Sequence, residues 1–428
     1  MLEPTGLLGI AVLLALAWAL SENRRRFPWR VVAGGVGLQV VIGLVLLKFD
    51  PAVDAFNWLA GVINQVISST DEGIAFVWGE PLAGFSQGFI FAIHAMSVVI
   101  FFASLMAILF HLGVMQRLIA ALAWLLRAAL GVTGTEALAM AANVFVGQTE
   151  APLCVKPYIE RMTRSQIMTL MVGGFATIAG SVLAAYVGML GGEDEASREL
   201  FIRHLLTASV MSAPAAFVMA KVMVPETEEP IDEGLRQAVS QSPHVNALDA
   251  AAAGASDGMK LALNIVAMLI AFVALVALVN QPLGWLGAQL DANLDDGVGW
   301  QTLSLQSIFG TVFMPLAWAM GVEWADCSLF GTLLGEKLVV TEFIAYQHLA
   351  EIANPANADA GSMSPRSIAI AAYALCGFAN FASIAIQIGG LSVIAPGKRQ
   401  QFVTLGPKAM LGGAFASWMT ASIAGLFL

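Results

Sequence analysis

GFATIA, residues 174–179, returns as GFANFA at residues 377–382. Each copy lies inside a long apolar stretch of the length that would make a membrane helix. A glycine followed by small residues is a poor way to continue such a helix. It lets the backbone unwind and come close to a ligand, and Thr177 and Asn380 place an oxygen at each predicted break. Other markers recur in the same order. LAW stands at 122–124 and 316–318, GV at 131–132 and 321–322, and TE at 149–150 and 341–342. Four markers in the same order predict an internal repeat of segments 122–182 and 316–384.

The rest of the chain fits a membrane setting. Of 428 residues, 58% are hydrophobic and only 12% charged, with a mean hydropathy of +0.78; soluble domains carry about twice that charged fraction. The formal charge of −10, without any basic arm, argues against a nucleic-acid partner. Cys154, Cys327 and Cys376 have no CxxC spacing, and the five histidines show no ligand spacing, so zinc and disulfides are not expected.

A membrane helix needs about 20 mostly apolar residues. Eight stretches qualify: roughly 4–20, 31–48, 90–111, 166–190, 200–223, 258–280, 367–395 and 405–427. Basic loops face the cytoplasm. Arg24, Arg25, Arg26 and Arg30 therefore place the first loop inside, with Asp50 and Asp54 outside. Arg117 and Arg127 are inside, GGEDE (191–195) outside, Lys221 inside, Asp291, Asp295 and Asp296 outside, and PGKRQ (396–400) inside. Both termini then lie outside. The polar stretch 225–257 becomes an internal loop with some helical character, DAAAAGASDG (249–258) reading as a helix start. Trp58, Trp78, Trp285 and Trp300 are expected at interfaces.

Residues 133–162 and 325–352 are too broken for simple spans and too apolar for exposed loops. Both read as re-entrant hairpins, which are tolerated only where buried in protein or lining an aqueous cavity. Their tips are GQTE (147–150) and TEF (341–343). Arg127, Lys156, Arg161 and Arg164 bracket the first. Asp295, Asp296, Glu351 and Asp359 bracket the second, against the dissenting Arg366. Opposite brackets predict an inverted-topology repeat, in which broken helices meet near the bilayer midplane and build substrate and ion sites. Glu150 and Glu342 then stand at matching tips. An intramembrane carboxylate is costly and marks a pathway or a relay. With Gln148 and Thr149 alongside and no Arg or Lys at either tip, a neutral hydroxyl- or amide-bearing solute is expected.

GQTEAPL (147–153), GGFATIAGSVLAAY (173–186), TEFIAY (341–346) and CGFANFASI (376–384) together resemble the concentrative nucleoside transporters, over about residue 90 to the end. The resemblance implies an all-α polytopic membrane protein with eight transmembrane helices, two oppositely oriented re-entrant hairpins and interfacial helices. It implies a homotrimer in the lipid of a bacterial inner (plasma) membrane, importing nucleosides by alternating access. By motif position, Gln148, Thr149 and Glu150 would bind the nucleobase. Glu342, Asn380 and Ser383 would hold the ribose, and Val182 and Phe378 would form an apolar wall. Family sodium ligands map onto Asn143, the Val146 carbonyl, Thr177 and the Ile178 carbonyl. Thr341 departs from the usual Asn, and Thr177 keeps the hydroxyl of the usual Ser. The implied division is 1–115 for scaffold spans and 116–223 for the first repeat. Residues 224–300 form the cytoplasmic loop and sixth span, and 301–428 the second repeat. Proton coupling through Glu150 is the competing expectation to sodium. A channel would need a continuous polar lining, and an enzyme using Glu150 and Glu342 finds no supporting HExxH, GxSxG or phosphate loop.

Overall fold

The computed structural model describes residues 5–83, 90–192, 194–233, 244–294, 303–354, 357 and 361–428. Asp295, Asp296, Trp300 and Asp359, used above as topology and interface markers, lie outside the described residues. Every regular element among the described residues is a helix. In chain order these are α1 (Thr5–Ala19), α2 (Trp29–Lys48), α3 (Asp50–Trp78), α4 (Glu80–Ala83), α5 (His94–His111), α6 (Val114–Leu130), α7 (Gly134–Asn143), α8 (Lys156–Ile159), α9 (Arg164–Ala176), α10 (Gly180–Gly191), α11 (Glu195–Met223), α12 (Ala247–Leu294), α13 (Leu305–Ala319), α14 (Cys327–Val339), α15 (Glu342–Ala353), α16 (Pro365–Leu375), α17 (Phe381–Ile394) and α18 (Arg399–Gly425).

The two GFA stretches interrupt helices as their composition predicts. α9 ends at Ala176 and α10 starts at Gly180, with Thr177 extended between them (φ −120°, ψ 167°). α16 ends at Leu375 and α17 starts at Phe381, with Asn380 extended (φ −140°, ψ 164°). The new helices need partners for their first amides. Asn380 accepts from Ser383 N–H at 2.8 Å, an ordinary N-cap. α10 lacks a side-chain cap, and its Gly180 N–H donates instead to the Phe145 carbonyl at 3.1 Å.

The two breaks touch. Gly377 has φ +144°, and a Cβ built there would lie 2.7 Å from the Phe175 carbonyl oxygen and 3.0 Å from that of Ala176. Only glycine permits both the conformation and this approach. Around the crossing pack α11 and α18, which are buried along most of their length.

Hairpin-like segments flank the crossing. α7 leads into an irregular stretch at 144–150, a 3-10 turn (Ala151–Val155) and α8. α14 and α15 are joined through Val340 and Thr341 alone. The two are thus unequal: the second is a regular helix pair, whereas Pro152 and Pro157 keep the first from forming a matching return helix.

Other elements depart from expectation. α3 is a 29-residue helix in a region for which no span was predicted. Asp54, Asn57, Asp71 and Glu72 dilute its apolar pattern, so length alone reveals it. α12 runs for 48 residues, beyond the expected 258–280, and absorbs the DAAAAGASDG run. Gly254 and Gly258 there lie directly against α5, where a Cβ would meet the Ala103 carbonyl oxygen at 2.6 Å and the Ile100 Cα at 2.8 Å respectively. Lys221, read above as a cytoplasmic loop charge, is buried. It pairs with Glu136 at 2.5 Å and donates to Ser165 Oγ at 3.0 Å. The loop after α11 is strapped across the base of the first hairpin. Asp232 accepts from Gly134 N–H at 2.7 Å and from Arg127 at 2.8 Å, and Glu233 pairs with Arg161.

Among the described residues, five helical stretches are long and apolar enough to cross a membrane: 29–48, 94–111, 164–191, 195–223 and 247–291. Thr5–Ala19, Leu305–Ala319 and Phe381–Ile394 are shorter apolar helices. Burial separates them sharply. The apolar window of the fourth stretch is 89% buried within the chain, that of α12 only 6%.

Candidate functional site

A cavity of about 1000 Å³ opens where the irregular tip of the first hairpin meets the α14–α15 turn and the α16–α17 break. Gln148, Thr149, Glu150, Val182, Glu342, Phe378, Asn380 and Ser383 all line it. The residues expected to touch solute are therefore brought to one space, although more than 230 positions separate the first from the last.

Glu342 is its chemical centre. The carboxylate is buried (3% exposed) in the first turn of α15, where the helix dipole favours a negative charge. The Tyr186 hydroxyl donates to Oε1 at 3.0 Å and the Asn380 amide donates to Oε2 at 2.7 Å. Charge-assisted hydrogen bonds of this kind offset the cost of burying a carboxylate. Asn380 cannot swing away, because its carbonyl oxygen is committed to capping α17. Each Glu342 oxygen retains lone-pair capacity for a further donor, such as a sugar hydroxyl.

Glu150 is placed differently. Its apolar sequence neighbourhood matches that of Glu342, yet its side chain is exposed and accepts from the Thr149 hydroxyl at 2.9 Å. It stands on the cavity's open side, free to meet a ligand, and forms no ion pair with Lys156 among the described residues. Gln148 is buried beside it, and its Oε1 has no partner. Thr341 also has a buried hydroxyl without a partner and no capping bond. Orphaned polar atoms facing one cavity are what a polar solute would satisfy.

Tyr186 was not singled out from the sequence. It lies one helical turn beyond Val182, so the 3.6-residue period puts both on one face, and this spacing was the available signal. The ring stacks on Tyr346 with centroids 4.2 Å apart and meets Phe343 edge-on at 4.8 Å. Tyr346 is itself fixed by donation to the Ala372 carbonyl at 2.7 Å.

The four expected sodium ligands are divided between the end of α7 and the irregular tip (Asn143, Val146) and the first break (Thr177, Ile178), and a Cβ built on Gly173 of α9 would lie 3.1 Å from the Asn143 amide nitrogen. Asn143 is buried; its amide nitrogen donates to the Ala139 carbonyl at 3.1 Å and its Oδ1 has no partner. The Thr177 hydroxyl donates to the Gly173 carbonyl at 3.0 Å, which leaves its oxygen lone pairs available. Val146 lies in the irregular tip and Ile178 in the break, so neither carbonyl is committed to a regular helix. Phe145, next to Val146, is tied to Gly180 across the same gap. Four neutral oxygens suit a hard monovalent cation, and the orphaned Asn143 Oδ1 fits that use.

Family models described as Na+ dependent nucleoside transporter N-terminus, nucleoside recognition, and Na+ dependent nucleoside transporter C-terminus match residues 8–81, 92–193 and 204–425. An uncharacterized transporter of Haemophilus influenzae is 43% identical over 99% of this chain and 97% of its own length. Sodium/nucleoside cotransporter 1 of Rattus norvegicus is 41% identical over 98% of this chain; the chain spans 63% of that protein's length. A solved structure of CNTnw in an inward-facing substrate-bound state superimposes with a TM-score of 0.90 at 39% identity, covering 100% of this chain and 98% of that one. A doubly substituted CNTnw in an outward-facing state gives 0.89 at 39% identity, with the same coverages.

Proposed function

The chain belongs to the Na+-dependent nucleoside transporter family, and from that membership we propose that it imports nucleosides as a sodium-driven symporter. The observation that carries the reading is the cavity, with the buried, doubly held Glu342 on one side and the Gln148–Thr149–Glu150 tip on the other. Glu342 accepts from the ribose hydroxyls, with Asn380 and Ser383 beside it. Gln148, Thr149 and Glu150 hydrogen-bond the base, against the apolar surfaces of Val182 and Phe378. Sodium, supplying the energy of its gradient, is held by Asn143, Thr177 and the Val146 and Ile178 carbonyls. Because Gly180 and Phe145 link the first break to the first tip, an ion in this gap stiffens the face that the base meets.

The architecture we infer is eight membrane spans, with 133–162 and 325–352 as oppositely directed re-entrant hairpins of an inverted repeat. The hairpins and broken helices move as one unit past a scaffold, giving alternating access. Segments 116–223 and 301–428 form the two repeats, and 1–115 with 224–300 the scaffold, interfacial helices included. The apolar face that α12 leaves uncovered within one chain supports contact with lipid and assembly as a homotrimer. The basic loop at 24–30 supports external termini in an inner membrane.

Labelled uridine uptake into proteoliposomes, with sodium or choline outside at two pH values, tests the reading. Saturable uptake driven by the sodium gradient at both pH values is expected, with Glu342→Gln inactive but folded. Uptake that follows the proton gradient in choline would replace sodium as the coupling ion.

A further inference from the structure

Between Lys260 and Asn280, α12 carries a single polar side chain, that of Asn264. The remaining residues of the stretch are Ala, Val, Leu, Ile, Met and Phe. An Asn in a membrane helix ordinarily hydrogen-bonds a neighbouring helix, because hydrocarbon offers its amide nothing. Asn264 does not: among the described residues it has no hydrogen-bond partner. The neighbouring helix α5 is joined to α12 by other means. The Ser104 hydroxyl donates to the Ala251 carbonyl at 2.9 Å, and Gly254 and Gly258 bring the two backbones together.

Those glycines fix the rotation of α12. Asp257, Leu261, Asn264 and Met268 follow one another at spacings of four, three and four, which makes them one stripe beside the glycine seam. All four line the cavity. Asn264 therefore belongs to the wall of the same space that Gln148, Thr149 and Glu150 line from the first hairpin and Glu342 from the second. At about 1000 Å³ this space stands at the upper end of ligand pockets, roughly 300–1,000 Å³, so a solute has room to shift between tips and wall. An uncommitted amide can both donate and accept there.

We propose that Asn264 is a nucleoside contact on the scaffold: its amide hydrogen-bonds an uncharged hydroxyl or amide of the solute that the two hairpin tips leave unpaired. This deepens the symport reading and rests on it for the identity of the solute. The tips travel with the moving unit and α12 does not, so the contact is made and broken within each cycle. It acts on capture and release of the nucleoside rather than on sodium.

Calorimetric titration of the purified full chain with uridine in saturating sodium tests it. Asn264→Ala and Asn264→Leu should each raise Kd about threefold to tenfold, the size of one neutral hydrogen bond, with Tm preserved. Native Kd in both would overturn the proposal. A rise with Leu alone would mean obstruction by bulk, and a large loss of Tm in both would make Asn264 a packing residue; either result also overturns it. A second variant reads position directly. Cys154 lines the same cavity, whereas Cys327 and Cys376 are buried, so Asn264→Cys is made together with Cys154→Ser. Position 264 should then react with a water-soluble maleimide, and uridine should slow the reaction. Absence of labelling, or labelling that uridine leaves unchanged, would put the side chain outside the solute's path and sink the assignment. Native protein that binds no uridine in sodium would defeat the nucleoside reading itself, and this contact with it, a result in which no variant at 264 takes part.

Discussion

The Tyr186 hydroxyl and Glu342 Oε1 lie 3.0 Å apart, and this bond joins α10 directly to the start of α15. Tyr186 is held from behind by Tyr346 and Phe343, so the hydroxyl is positioned before any solute arrives. Tyr186→Phe keeps the ring packing and removes one donor. Hydrogen bonds to charged groups are worth about 1.5–3 kcal/mol, and the carboxylate can recover part of this by turning toward Asn380. Apparent KM for uridine should rise roughly tenfold with folded yield preserved. Unchanged kinetics in a KM titration would mean that Tyr186 only fills space.

Sodium affinity should depend on the hydroxyl at Thr177 more than on its shape. Thr177→Val is nearly isosteric but removes the oxygen, and Thr177→Ser restores it. Loss of one neutral ligand at about 1 kcal/mol predicts a roughly fivefold rise in the sodium concentration for half-maximal uptake. The serine variant should stay close to the native value. Sodium titrations at saturating uridine measure this, and equal curves for Val and Ser would move the ion elsewhere.

The positions of both helix breaks were legible because glycine and its small neighbours mark unwinding locally, and because the motif occurs twice. The eight cavity-lining residues were legible only through motif order, since no spacing rule could bring Gln148 to Asn380. What the sequence could not distinguish was Glu150 from Glu342. Both follow apolar runs and a threonine. Their burial is decided by what comes next: α15 begins at Glu342 and is covered by Tyr186 and Asn380, whereas a 3-10 turn after Glu150 leaves it on the open side. Lys337 is likewise placed by partners remote in sequence, since its acceptors are a backbone carbonyl and a serine from other helices. Tyr186 carried no signal of its own, because an aromatic in an apolar helix is ordinarily packing.

Acid should loosen one clasp outside the membrane-spanning segments. In the loop after α1, Glu22 accepts two bonds from Arg164, at 2.9 and 2.8 Å, and one from Lys408 at 3.1 Å. The Arg164 hydrogen bonds, aided by Lys408 and opposed by partial burial, hold its carboxyl down at about 2, against an ordinary 4.5. A pKa lowered on folding stabilises the folded state above the ordinary value, and that stability is lost as pH falls from about 4.5 toward 2. The pair is partly exposed, so its worth is about 1 kcal/mol or less. Comparing Tm of native protein and Glu22→Gln, a small native advantage should hold at neutral pH and fade through that window. A difference that persists at the acid end would assign the effect to packing.

Gly377→Ala should be strongly destabilising. The added Cβ meets two carbonyl oxygens of the opposite broken helix at 2.7 and 3.0 Å, and neither can retreat without moving the first break. The backbone at φ +144° adds conformational strain of about 1–3 kcal/mol for a non-glycine residue. Gly389, eight residues beyond the start of α17 at Phe381, provides the control: a Cβ there meets nothing within 4 Å. Gly389→Ala should be neutral or stabilising by up to about 1 kcal/mol, as for any exposed helical glycine. Thermal unfolding of the two variants, with folded yield by size-exclusion chromatography, separates crossing contact from generic sensitivity. If Gly377→Ala were as stable as Gly389→Ala, the two broken helices would not meet at Gly377, and the ion and nucleoside positions would lose the contact that couples them.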